Sequence, residues 1–175
     1  MHIKTFFTKQ IVEDELAFAG TLVASALLLS IAATAAVTGT LTLTGSVPQT
    51  NSIVITPQTV ATGLDLATSQ SNLVVANVTE SSNDRLGYRV VLNTQNGSTT
   101  GLFKGGTGNS DTLAYSVSYN GSPVSFSGGS ATVTNTVTRS AVGGTVKAVA
   151  ITYTGTPGIS ADNYSDTLIF TMTAN

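Results

Sequence analysis

Beyond residue 36, apolar residues stand two apart along much of the chain, separated by Thr, Ser or Asn, in runs bounded by Gly, Asn, Ser or Pro. Side chains two apart in a strand share a face, so this alternation predicts half-buried β-strands, and no helical period competes with it. The predicted strands cover 39–47, 52–56, 60–67, 72–79, 87–93, 111–119, 123–128, 130–138, 146–154 and 164–174. Asn120-Gly121 predicts a type I′ hairpin, because both central residues of that turn need positive φ. Alternation points Val90 and Leu92 inward, together with Leu113, Tyr115 and Val117, then Val149, Ile151 and Tyr153, and finally Leu168, Phe170 and Met172. The Gly-rich stretch 101–111 and the stretch 154–163 read as loops. So many short strands predict an all-β sandwich.

The first 36 residues read differently. Lys4 and Lys9 precede the apolar run "LAFAGTLVASALLLSI" and the small residues 32–36, a layout that predicts a signal peptide over 1–36, cut after Ala35 or Ala36. Residues 16–36 are also long enough to span a bilayer as a retained anchor. Glu13, Asp14 and Glu15 are unusual between a basic start and an apolar core. What remains after removal of 1–36 has the size of one domain with a core of its own. A secreted protein is expected.

Composition narrows the function classes. The chain is 41% hydrophobic but only 9% charged, so hydroxyl and amide groups supply most of its polar surface. Past residue 36, Arg85, Arg89, Lys104, Arg139 and Lys147 stand against Asp65, Glu80, Asp84, Asp111, Asp162 and Asp166. Five scattered cations against six anions make no basic patch, and no nucleic-acid partner is expected. There is no cysteine, and the single histidine is His2, inside the expected leader. That removes His- and Cys-based nucleophilic sites and the usual zinc ligands, so neither an enzyme nor a cofactor is expected. Asp162, Asn163 and Asp166 lie close together, but their spacing does not match a calcium loop, and they read as a solvated turn with no metal. The glycines of 105–108 read as a flexible loop. Tyr88, Tyr115, Tyr119, Tyr153 and Tyr164 fall mostly in strand register and read as packing residues, with a sugar-binding platform as the alternative.

With chemistry set aside, the first strand of the mature chain is the informative feature. In "VTGTLTLTGSV" the residues Val37, Gly39, Leu41, Leu43, Gly45 and Val47 share one face. A terminal strand can pair within its own sheet or add to an open sheet edge on another molecule, where alternate side chains fill pockets. "GTLTLTGSVPQTNSIVIT" (39–56) resembles the N-terminal extension and first strand of chaperone–usher pilus subunits, in particular the alternate-class and spore coat U-like pilins. "ADNYSDTLIFTMTAN" (161–175) is similar to their closing strand. Two departures are the lack of cysteine and the lack of an aromatic residue in the final "TMTAN".

The resemblance implies an incomplete immunoglobulin-like β-sandwich over 48–175, completed by a donor strand, residues 37–47, of a neighbouring subunit. It implies Leu41 and Leu43 as the anchors, Gly39 and Gly45 as points of close approach, and Leu168, Phe170 and Met172 as the lining of the acceptor groove. The partners it implies are identical or homologous subunits, a periplasmic chaperone and an outer-membrane usher. The expected function is a structural subunit of an extracellular fibre, with adhesion as a second role. The alternatives are a self-complemented surface protein and a carbohydrate-binding module.

Overall fold

Val, Ile, Tyr and Thr at alternating positions fit a pleated, half-buried surface, and the computed structural model, which describes residues 36–175, forms its strands where they alternate. The strands are β1 (Asn51–Pro57), β2 (Gln70–Ser82), β3 (Tyr88–Thr94), β4 (Gly101–Lys104), β5 (Thr112–Tyr119), β6 (Ser122–Pro123), β7 (Ser130–Thr136), β8 (Thr145–Tyr153) and β9 (Leu168–Ala174). They pair antiparallel in two sheets, giving an all-β sandwich. The larger runs β1-β2-β8-β5-β4 with β6 beside β5, and the smaller runs β7-β3-β9. Residues Gly45–Asn175 form one compact unit.

Val78, Val90, Leu92 and Val149, from both sheets, are almost fully enclosed, and Leu113, Tyr115, Val117, Ile151 and Tyr153 are buried with them, as alternation predicts. The Asn120-Gly121 hairpin has φ of 51° and 79° at its two central residues, the geometry its sequence calls for. The sandwich has two ends. At the near end β1 and β3 begin and β2 and β9 finish, since Asn51 lies opposite Ser82 and Tyr88 opposite Ala174. At the far end Pro57 lies opposite Ala76 and Thr94 opposite Leu168.

Four expectations are corrected. The stretch 60–67 is no strand: residues Thr59–Thr62 make a 3-10 turn, because Gly63 breaks the run and Ala61 packs against the core. The stretch 123–128 keeps only Ser122–Pro123 in a ladder, with Ser127 in an isolated bridge to Ser130. Residues 164–167 stay out of β9, because the Asp166 carboxylate and the Ser165–Lys104 bridge hold them as a corner. Conversely, the expected loop at 101–111 contains β4. Gly101 is needed there: a Cβ would sit 2.1 Å from the Tyr115 ring. Gly101→Ala should therefore cost about 1–3 kcal/mol through overpacking, read as a lower midpoint in chemical denaturation.

Apart from Ala36, the expected leader lies outside the described residues. Among the described residues no helix is long and apolar enough to cross a membrane.

Candidate functional site: an open groove between two sheet edges

Cross-strand partners project to the same face of a sheet. Ile55 lies opposite Val78, which is fully buried, yet Ile55 is 42% exposed. Phe170 lies opposite the fully buried Leu92, yet Phe170 is only half-buried. Both side chains point inward and both meet open space. The sandwich therefore lacks cover along one side, between β1 at the edge of the larger sheet and β9 at the edge of the smaller one.

An apolar cleft of ≈ 300 Å³ occupies this side, with Ile55 and Pro57 on the β1 wall, Leu168 and Phe170 on the β9 wall, and Val75 and Ile151 among the residues of its floor. Ala61 and Leu64, from the turn after β1, line it at the far end. β1 pairs only with β2 and β9 only with β3 among the described residues, so each turns an unpaired main-chain edge toward the cleft. Unpaired edges of this kind template the addition of another strand. Of the three residues expected to line a groove, Leu168 and Phe170 do so. Met172 follows on the same face, half-buried and nearer the other end.

One wall is fixed by Asp166. Its Oδ2 accepts from Thr94 Oγ1 (2.7 Å), Tyr115 Oη (2.8 Å) and the Leu102 N–H (3.1 Å), and its Oδ1 from the N–H groups of Thr167 (2.7 Å) and Asn96 (3.1 Å). Burial pushes this carboxyl up, but the bonds from Thr94, Tyr115 and the Leu102 and Thr167 amides outweigh it and leave it below the ordinary carboxylate range. The residue ties the start of β9 to β3, β4 and β5, and so holds Leu168 in place. Its oxygens are already used by the chain itself. Asp162 likewise accepts from the N–H groups of Gly106 and Asn163 and from Asn109 Nδ2, so these acids organise the loop.

At the other end Glu80 is fully buried between the sheets. Oε1 accepts from Tyr119 Oη (2.6 Å) and Thr134 Oγ1 (2.7 Å), while Oε2 meets Lys147 Nζ at 2.8 Å and accepts from Tyr88 Oη at 3.1 Å. Lys147 and Tyr119 belong to the larger sheet with Glu80, whereas Tyr88 and Thr134 belong to the smaller one. One carboxylate thus pins the two sheets together. Four of the five tyrosines are buried, and all five donate a hydroxyl hydrogen bond inside the fold, so they present no stacking platform.

The segment that precedes β1 has its own fastening. The Asn83 N–H donates to the Thr50 carbonyl, the Thr50 N–H to Asn83 Oδ1 (2.8 Å), and Asn83 Nδ2 to the Pro48 carbonyl (2.8 Å), with Gln49 bonded to Asp84. Residues 48–50 therefore prolong β1 in line along β2, past the near end. They do not turn back toward the cleft.

Residues 36–50 belong to no strand, so the strand expected at 39–47 is not formed in this single chain. A strand exists only through its hydrogen-bonded neighbour, and residues 39–47 have none among the described residues. Leu41 and Leu43 are 83% and 84% exposed, and Val37 and Val47 are as open. A Cβ on Gly39 or Gly45 would meet nothing within 4 Å.

Sequence reasoning missed Glu80, Asp166 and Asn83. Glu80 had a readable signal, since it shares the parity of Val78 in its strand and so falls on the inward face. No protein-family model matches the chain, and comparison with curated proteins gives no match.

Proposed function

We propose that this protein is a structural subunit of an extracellular fibre, in which residues 37–47 of one copy fill the β1–β9 cleft of the next. The observation that carries this reading is the pairing of an uncovered apolar cleft, flanked by two unpaired strand edges, with an alternating apolar segment that has no cover of its own. Strand addition satisfies both at once: main-chain bonds close the edges, and alternate side chains fill the cleft. A strand repeats its facing side chains about every 6.6–6.8 Å. Leu41 and Leu43 thus have the spacing of Leu168 and Phe170. Leu41 and Leu43 are the anchors, and Gly39 and Gly45 relieve the flanks.

The fastening of residues 48–50 favours exchange over self-complementation, because it sends the chain out in line with β1 past the near end. A fibre that grows in one direction must then set the near end of each donor against the far end of its acceptor. The inserted strand runs parallel to β1 and antiparallel to β9. Insertion the other way sets near end against near end and closes a dimer. The chaperone and usher suggested by the pilin resemblance belong to this same proposal, as does secretion.

The test compares a chain beginning at Val37 with one beginning at Pro48, by light scattering and negative-stain microscopy. The longer chain should form fibres and the shorter none, and a synthetic 37–47 peptide should bind the shorter chain one to one and raise its melting temperature. A longer chain that stays monomeric, and whose truncation only unfolds it, makes the segment part of its own domain.

A further inference from the structure

The charges of the sandwich are sorted by end. At the near end the β2–β3 turn carries Arg85 and the β7–β8 loop carries Arg139, both exposed, with Arg89 one residue into β3. The Ser140 N–H bonds to the Ser82 carbonyl, which fixes the β7–β8 loop at this end. Asp84 is the anion there, and it is half-buried and bonded to Gln49 and to the Leu86 N–H. At the far end lie Asp65, Asp111, Asp162 and Asp166, with Lys104 as the cation. Glu80 and Lys147 cancel inside the sandwich. The described residues, with five cations against six anions, are therefore arranged as a basic pole and an acidic pole joined by a neutral body.

We propose that the basic near end of one subunit docks on the acidic far end of the next copy of the same chain, so that Arg85 and Arg139 of the donor face Asp65 and Asp162 of the acceptor around the inserted strand. This rests on the strand-exchange reading and adds to it the surface that orients the incoming subunit. The partner follows from two independent features. Charge complementarity requires an acidic partner surface, and the exit of residues 48–50 past the near end places that pole against whatever accepts the strand. Near-to-near contact, as in a swapped dimer, sets arginines against arginines. The poles thus select the open polymer over the closed dimer.

Exposed pairs of this kind act mainly on encounter rate and on the rejection of wrong orientations. The experiment is seeded elongation of the chain beginning at Val37, the parent here, followed by light scattering. Ionic strength is raised from about 10 mM to about 150 mM, which shortens the Debye length from roughly 30 to roughly 8 Å. Elongation should slow by about tenfold over this range, whereas a junction made only by apolar burial shows no slowing. The Arg85→Glu/Arg139→Glu chain should elongate more slowly than the parent at low salt and speed up as salt is added. The Arg85→Gln/Arg139→Gln chain should lose most of the salt dependence. A parental rate that is flat or rises with salt, or a charge-reversed chain that keeps the parental trend, overturns the junction and leaves strand exchange standing. Absence of fibres from the parent at every salt concentration overturns both.

Discussion

A chain carrying Leu41→Asp and Leu43→Asp should fold as the parent does and form no fibres. Each leucine is exposed in the single chain and gains about 1.5–3 kcal/mol on full burial, so the pair supplies several kcal/mol of the strand's affinity. Putting carboxylates there instead adds a desolvation cost of several kcal/mol more, because the cleft offers Ile55, Leu168 and Phe170 and no cation to pair with them. Every 1.4 kcal/mol is tenfold in affinity, so the loss exceeds about a thousandfold, enough to abolish polymerisation at micromolar concentration. The variant keeps an intact cleft. Added in small amounts to the parent it should accept one strand, donate none, and shorten the fibres. Circular dichroism and denaturation should match those of the chain beginning at Pro48, whose cleft is equally empty, since neither leucine contributes to the Gly45–Asn175 unit. Fibres of parental length from the double variant alone would rule out these residues as anchors.

The strands that were legible in the sequence are those whose environment is decided by their own alternation. β3 and β5 bury one face completely and β2 and β8 most of one, and Val78, Leu92, Val117 and Ile151 sit where a period of two places them. The misreadings have local causes. Residues 60–67 alternate like a strand, but Gly63 interrupts them and the segment lines the far end of the cleft through Ala61 and Leu64. β4 hides in a Gly-rich stretch because its decisive contact, Gly101 under the Tyr115 ring, is a non-local one. The cleft itself was half legible. Parity turns Leu168 and Phe170 inward, but only the pairing of β9 with β3, and of β1 with β2, reveals that no strand stands between them and Ile55. Asp166 reads as a loop acid until its five partners, drawn from β3, β4, β5 and the turns beside them, are brought together. The fastening at Asn83 could not be read at all, since it depends on a side chain meeting the backbone across the near end of β1.

Glu80→Ala should be among the most damaging single changes in the sandwich, lowering unfolding free energy by about 3–5 kcal/mol, because it strands Lys147 and leaves three buried hydroxyls short of an acceptor. Against a typical total of about 5–15 kcal/mol for a domain, that is enough to shift the denaturation midpoint far, or to prevent folding altogether. Lys147→Met should cost less. The Lys147 side chain is 16% exposed, and its removal leaves Glu80 with the bonds from Tyr119, Thr134 and Tyr88. The same carboxylate sets the response to pH. Burial pushes Glu80 up, but the bonds from Lys147, Tyr119 and Thr134 and the Lys147 charge outweigh it, so its folded-state pKa lies below the ordinary value, as does that of Asp166. The stabilisation from both is complete above their unfolded pKa values of about 4 and disappears as pH falls through the folded ones. Burial and the Glu80 charge push Tyr88 up to about 12, and Tyr119, buried and bonded to the same carboxylate, is raised further. Their contribution is complete below about pH 10 and is lost as pH rises through the folded values. Denaturant midpoints measured across pH should show a plateau from about pH 5 to pH 9 with a fall on either side. In Glu80→Gln the acid-side fall should shrink to the part due to Asp166 and to the hydrogen-bonded loop carboxylates Asp65, Asp111 and Asp162. An acid limb of full size in that variant assigns the loss to other groups and removes Glu80 from this role.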